Sequence, residues 1–323
     1  MMRRYALSTG PLAALAVAAG AYARRRQSPA RRNWSPPCGR DVQTCTLAAR
    51  VKGTEGAPIV LLHGLVASGL YWGSAYDVLA ENHRLVVPDL LGFGRSPRPP
   101  SGYGPDDHVR ALLACLDELN IVEPVTIGAH SLGTLIALRL AATHPERVAS
   151  IVGFGPPLYR DRPTALARVG RTSPMGRLFV LPGQTAERAC RWVCDHRAIA
   201  GRLAVVTHPG LPPPIAADGV QHTWESYSET LERVILAADA FSWLAEVTHP
   251  VRFIAGDRDR VVDVAFLRLL EREYTNLSIE LWPGGHDLPL AFPLDCRQAI
   301  GEATDTKVVL AHLEGVHPHD REG

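Results

Sequence analysis

Short apolar runs alternate with amphipathic stretches along most of the chain. "IVLLH" (Ile59 to His63) is continuous and apolar, the pattern of a strand buried on both faces. "HRLVVPD", "VTIGAH", "VASIVGF", "PVRFIAGD" and "LSIELW" repeat that pattern. Between them, "LYWGSAYDVLA", "GYGPDDHVRALLACLDEL", "LGTLIALRLAATH" and "VAFLRLLEREY" carry helical periodicity. "QTCTLAARV" alternates and contains Thr and Val, which predicts a further strand starting at Gln43, and "KGTEGAP" after it predicts a turn. Strands that alternate with helices predict an α/β fold, with a mostly parallel central sheet flanked by helices.

The alternation stops over residues 156–244, which are rich in Arg, Pro and Trp. "TAERACRWVCDHRAIAGRL" and "SYSETLERVILAADAFSWL" predict helices there, and strands resume at Pro250. The later strands have only the first sheet to pair with, so the stretch is expected to be a helical cap inserted between core strands. The chain then divides into an N-terminal hydrophobic segment and basic linker (1–42), a first core part (43–155), the cap (156–244), a second core part (245–302) and a polar tail (303–323) expected to fray.

Charge separates the N-terminus from the rest. The chain of 323 residues has a net charge of +1, yet residues 1–40 hold eight arginines and no acid. The remaining 26 basic residues face 33 acids, which excludes a nucleic-acid binder built on a basic surface. Arg3 and Arg4 precede an uncharged run from Tyr5 to Ala23, and Arg24, Arg25, Arg26, Arg31 and Arg32 follow it. The run is about long enough to cross a bilayer. It is consistent with an uncleaved anchor with its basic cluster on the cytoplasmic side, with a signal peptide cut after Ala21-Tyr22-Ala23, or with a basic tail. The expectation is membrane contact through residues 3–26 or export, with a cytoplasmic location as the alternative. The six cysteines, at 38, 45, 115, 190, 194 and 296, lack C-x-x-C spacing, so zinc is not expected. Cys190 and Cys194 lie one helical turn apart, where two side chains can meet.

The candidate chemistry centres on "GAHSLG" (Gly128 to Gly133). A predicted strand meets a predicted helix there with no loop between them. Such a corner forces its central residue, Ser131, into strained backbone geometry, and the residues two away must be small. Ala129 and Gly133 are small. The corner would carry Ser131 above the carboxyl edge of the sheet, where open α/β folds bind ligands. Leu132 would open the helix, leaving its N–H free to donate to a developing oxyanion.

With these residues in order, the sequence resembles the α/β-hydrolase fold family, of the capped serine-hydrolase type, over residues 45–155 and 245–302. "LLHGL" (Leu61 to Leu65) resembles the family's oxyanion loop, and "PDLLGFGRS" the loop after the next strand. "AGDRDRVV" holds Gly256-x-x-Asp259, matching the family's acid site, and "GGHDLPLAFP" places His286 in the last loop. Ala129 stands where the family more often has Gly, and Ala291 where it often has Glu. The resemblance implies a triad of Ser131, Asp259 and His286, with backbone N–H groups of Leu65 and Leu132 as oxyanion donors. Asp257 and Asp263 are rival acids. His63 is expected to bond loop backbone, and His130 to face away from the pocket. Trp192, Trp224 and Trp243 of the cap are expected in the core.

The implied activity is hydrolysis of an ester-like bond through an acyl-enzyme, as in a carboxylesterase or lipase-like enzyme, with no cofactor and no metal. The expected partner is a small apolar ester-like substrate, and the oligomeric state stays open. A carbon–carbon bond hydrolase of diketo acids, a cofactor-free perhydrolase, a triad-based lyase and a non-catalytic ligand receptor are alternatives on the same fold.

Overall fold

The apolar runs pair into one eight-stranded sheet in the order β1-β2-β4-β3-β5-β6-β7-β8. The strands are β1 (Arg40–Gln43), β2 (Ala48–Lys52), β3 (Pro58–Leu62), β4 (Arg84–Pro88), β5 (Val125–His130), β6 (Val148–Phe154), β7 (Val251–Gly256) and β8 (Leu277–Trp282). Strands β3 to β8 run parallel, while β2 is antiparallel to both of its neighbours. The computed structural model describes residues 22–23, 26–171, 184–237 and 240–314. The fold is the one expected: a mostly parallel sheet flanked by helices, with helices inserted between β6 and β7.

Every residue of β3 and β5 is buried, which explains their unbroken apolarity. Successive side chains still point to opposite faces. Val60, Leu62, Val86, Ile127 and Phe253 join the core beneath α2 (Pro105–Glu118), α3 (Leu132–Thr143) and α10 (Val264–Glu273). Ile59, Leu61, Leu85, Val87 and Ile254 join the core on the other face, with Trp72, Tyr76 and residues of α12 (Pro293–Glu314). The parallel strands therefore end together at one edge, where their following loops gather.

The N-terminal part differs from expectation. The alternation from Gln43 is broken by a tight turn, in which Thr44 N donates to Leu47 O at 2.9 Å, so β1 and β2 form a hairpin. The stretch expected as a linker is docked on the core. It forms a short helix, α1 (Pro29–Asn33), and Trp34 Nε1 donates to Leu70 O at 3.0 Å. The docking is partly apolar, with Ala30 in the core and Trp34 packed against it, and partly polar. Arg50 on β2 donates to Asp77 at 2.5 Å, to Trp72 O at 3.0 Å and to Cys38 O at 3.2 Å. Cys38 N donates to the other Asp77 oxygen at 2.7 Å. Such spread-out polar contacts leave no periodic trace in a sequence. Most of residues 3–26 lie outside the described residues. Among the described residues, no helix is long and apolar enough to cross a membrane.

The other end differs too. The region from 303, expected to be a fraying tail, continues α12 to Glu314. Thr304 is buried, and its hydroxyl donates back to Ile300 O at 2.9 Å within the helix. The cap holds α4 (Arg162–Val169), α5 (Gln184–Asp195), α6 (Arg197–Thr207), α7 (Pro213–Asp218), α8 (Trp224–Thr230) and α9 (Ala240–Glu246). The first expected cap helix is split at His196 into α5 and α6. A π-helical segment, Leu231–Leu236, extends α8. Trp224 and Trp243 pack against the core, as expected, whereas Trp192 is exposed and stacks on His196 with ring centroids 4.9 Å apart.

Removing one partner of a buried ion pair strands the other charge, at about 3–5 kcal/mol. Asp77→Ala is therefore expected to lower the free energy of unfolding by about 3–5 kcal/mol, read from the midpoint of urea denaturation. A loss under about 1 kcal/mol would show that Arg50 finds other partners without strain.

Candidate active site

Strand β5 ends at His130 and α3 begins at Leu132, so Ser131 alone makes the corner. Its backbone has φ 50° and ψ −118°, a region that disfavours every residue with a Cβ. Hydrogen bonds hold it there. Ser131 N donates to Phe154 O on β6, and Thr134 N donates to Ser131 O, both at 2.9 Å. The small neighbours have a measurable reason. A Cβ on Gly133 would lie 2.7 Å from Leu62 O and 2.8 Å from Leu62 Cβ, inside contact distance. Ala129 sits on the strand between Leu62 of β3 and Gly153 of β6. The start of α3 thus crosses β3 with no room for a side chain.

The loop after β3 lies against this corner. A Cβ on Gly64 would be 3.2 Å from Ser131 Cβ and 3.1 Å from His130 Nδ1. Val66 takes a left-handed conformation, φ 53°, as the loop turns away. Leu65 lies between these two positions, and Leu132 is the first residue of α3, so its N–H has no acceptor within the helix. His63 bonds backbone, as expected. Its Nδ1 is 2.8 Å from Gly64 O, and its Nε2 accepts from Leu90 N at 2.8 Å.

The loops after β7 and β8 bring in the other two groups. His286 Nε2 is 3.1 Å from Ser131 Oγ, and His286 Nδ1 is 2.8 Å from Asp259 Oδ2. The other Asp259 oxygen accepts from Val261 N at 2.8 Å and Val262 N at 3.3 Å. Burial disfavours the Asp259 charge, but His286 and these two N–H groups outweigh it and hold the carboxyl below its usual range. Burial likewise opposes a charge on His286, and Asp259 overrides it, raising the imidazole above its usual value. The rival acids serve elsewhere. Asp257 is exposed and accepts from Gly284 N at 2.9 Å, and Asp263 caps α10 through Phe266 N at 3.3 Å.

Three side chains behind His286 escape motif reading. His130, expected to face away, is buried beneath the His286 loop. Its Nε2 lies 3.1 Å from His286 O, and its ring stacks on Tyr71 at 4.6 Å between centroids. Burial and the neighbouring His286 push its basicity far down, so it stays neutral. The Tyr71 hydroxyl donates to Asp287 at 3.3 Å, and burial raises the Asp287 carboxyl. Gly155, after β6, completes the backing. Its φ is +60°, and a Cβ there would lie 3.0 Å from His286 Nδ1 and 3.4 Å from Asp259 Oδ2. A separate cavity of about 230 Å³ lies between Tyr159–Arg162, Ile235 and Phe241, and none of the three linked residues lines it.

Comparison with known proteins agrees with this architecture. Residues 57–179 match the family model described as alpha/beta hydrolase fold. A "Probable lysophospholipase BODYGUARD 5" of Arabidopsis thaliana is 26% identical over 250 residues, which are 70% of this chain and 56% of that protein. The chain thus spans little more than half of that relative. A "Haloalkane dehalogenase" of Mesorhizobium japonicum is 29% identical over 276 residues, 80% of this chain and 88% of the relative. Among solved structures, an "E-2-(Acetamidomethylene)succinate Hydrolase" superposes with a TM-score of 0.64 at 20% identity, covering 83% of this chain and 99% of the other.

Gly155→Ala must place a methyl group against His286 in a backbone region that costs an L-residue about 1–2 kcal/mol. The variant is expected to lose about that much stability and to lower the His286 pKa, because the Asp259 contact that raises it is displaced. Histidine titration by NMR measures this. An unchanged pKa would mean that the loop yields without moving the pair.

Proposed function

We propose that this chain, which has the α/β-hydrolase fold and matches that family's model over residues 57–179, is a serine hydrolase that cleaves an ester-like bond through an acyl-enzyme. The observation that carries the reading is the continuous line of hydrogen bonds from Asp259 through His286 to Ser131, at 2.8 Å and 3.1 Å. A serine hydroxyl is a weak nucleophile at neutral pH. Neutral His286 takes its proton through Nε2 and later returns it to the leaving group. Asp259 holds the proton on Nδ1 and stabilises the imidazolium that forms. The N–H groups of Leu65 and Leu132 stabilise the oxyanion, each worth about 3 kcal/mol in such sites. A serine at this corner, in place of a carboxylate, argues against the alkyl-enzyme chemistry of haloalkane dehalogenases.

The substrate class is proposed as apolar, in keeping with a membrane-facing location. Ser28 bonds Gly210 O and Arg31 donates to Pro209 O at 3.4 Å, so the N-terminal segment joins the body beside α6. That helix leaves Ile199, Leu203 and Val206 at least half exposed along one face. An uncharged N-terminal run flanked by arginines, and an apolar stripe beside the place where residues 28–31 dock, both suit a lipid surface carrying negative charge.

Ser131→Ala is expected to abolish hydrolysis of p-nitrophenyl esters and labelling by a fluorophosphonate while the fold persists. Asp259→Asn is expected to lose about 10³–10⁴-fold in kcat, and Asp257→Asn no more than a few-fold. A labelled Ser131→Ala protein, or the reverse order of the two acids, would sink the assignment. Because His286 must be neutral to accept the proton, kcat/KM is expected to rise with pH. Its limb should lie above the ordinary histidine value of about 6.5, since Asp259 raises it. Asp259→Asn should shift that limb to lower pH.

The location reading has its own check. The full chain is expected to sediment with vesicles containing anionic lipid, and a chain starting at Ser28 to bind much less. Replacing Ile199, Leu203 and Val206 with serine should weaken the residual binding. A full chain that stays in the supernatant would refute the membrane part and leave the hydrolase part standing.

A further inference from the structure

The cap holds a second cluster of reactive groups, away from Ser131. Cys190 and Cys194 lie one turn apart on α5, and both thiols face the same residue, His222. Cys190 Sγ is 3.6 Å from His222 Nε2, and the Cys194 thiol donates to His222 O at 3.2 Å. Arg197 donates to that same carbonyl at 2.7 Å, so its charge sits beside the Cys194 sulfur. Its buried Nε has no hydrogen-bond partner among the described residues. His222 Nδ1 is 3.1 Å from Gly219 O and can meet that acceptor only as a donor. Nε2 is therefore unprotonated and lies within reach of the Cys190 thiol. Cys190 is fully buried, and Cys194 is partly open to solvent.

We propose that Cys190, Cys194 and His222 form a peroxide-reactive dithiol site, in which Cys194 is the attacking thiolate and Cys190 the resolving thiol. The surroundings support the division of roles. Hydrogen bonding from Cys190, aided by the Arg197 guanidinium, outweighs burial and brings the Cys194 thiol down to about 7, against the opposing charges of Asp195 and Glu225. The same pairing and burial push Cys190 up. Burial, with Arg197 and Arg98 nearby, lowers His222 to about 4, so its ring stays neutral. A low, accessible thiol next to a second cysteine is the arrangement of thiols that react reversibly with peroxides.

The chemistry balances with a hydroperoxide as oxidant. The Cys194 thiolate attacks one peroxide oxygen, a sulfur–oxygen bond forms, and the oxygen–oxygen bond breaks. The leaving hydroxide takes a proton and becomes water, leaving a sulfenic acid. Cys190, oriented by His222 Nε2, then attacks the Cys194 sulfur and gives up its proton. The sulfur–sulfur bond forms, the sulfur–oxygen bond breaks, and the departing hydroxide takes the Cys190 proton and leaves as water. Two thiols and one hydrogen peroxide thus yield one disulfide and two waters. On an intact helix, Cβ atoms one turn apart are about 5–6 Å from each other, whereas a disulfide needs about 3.5–4.5 Å. Closure must unwind the last turn of α5. Cys194 lies in that turn, next to the break at His196, where α5 ends and α6 begins.

The test uses the full chain and its own exposed cysteines as controls. At pH 7, Cys194 should react with iodoacetamide about fivefold faster than Cys45, after allowing for the lower intrinsic nucleophilicity of a more acidic thiol. Cys45 is held up by its hydrogen bond to Glu118. Hydrogen peroxide should produce a Cys190–Cys194 peptide two hydrogens lighter, reversed by dithiothreitol and identified by mass spectrometry. Cys190→Ser should stop the disulfide and leave a dimedone-trapped sulfenic acid on Cys194. His222→Gln should slow closure while the trapped species accumulates. The proposal is overturned if Cys194 reacts no faster than Cys38 and Cys45, if peroxide yields no Cys190–Cys194 linkage, or if His222→Gln closes at the unaltered rate.

Discussion

A strand that becomes a helix across a single residue is the constraint on which the rest of the site depends. Ser131 occupies a backbone region that a residue with a Cβ avoids. The strain persists because both sides of the corner are over-determined. Strand β5 is clamped between β3 and β6, and α3 is buried along most of its length. The demand for space then spreads outward. Gly133 must let α3 pass over Leu62, Gly64 must let its loop approach the serine, and Gly155 must leave room for His286. Three glycines on three different loops or helices answer one geometric requirement.

The polar groups at this edge are sorted by the hydrogen bonds available to each. Asp259 and Asp287 are both carboxyls close to His286, yet their surroundings push them in opposite directions. Asp259 has two backbone N–H donors and the imidazole, and it is held in the charged form. Asp287 meets a tyrosine hydroxyl in a buried setting, and burial shifts its carboxyl upward. His130 adds a neutral ring behind His286, fixing the loop through its carbonyl without adding a competing charge. Asp259 is thus the carboxylate that His286 bonds, on the side away from the serine.

The cap is organised by polar contacts more than by a core of its own. His222 accepts from Cys194 and Arg197 at its carbonyl, and this ties α5 and α6 to the segment that leads into α8. The N-terminal stretch is anchored in the same manner, through Arg50, Asp77 and Cys38. Such contacts hold irregular chain against a finished surface, and their partners lie far apart in sequence.

The core was legible in the sequence because a strand buried on both faces must be apolar throughout, and a helix on such a sheet must be apolar along one side. That made the sheet, its parallel character and the helical insert readable from pattern alone. Ser131 was legible for a related reason: the small residues around it answer a local steric demand. Asp259 and His286 were placed by their spacing and chain order against the family, and the distances that join them to Ser131 exist only in the folded chain. The hairpin at Thr44, the docked segment from Ser28 and the helical turn beyond residue 303 were decided by tertiary structure. So were the seat of His130 behind His286 and the meeting of two thiols with His222. Most of these depend on contacts between groups distant in sequence, and such contacts impose no period and no composition on the residues that make them.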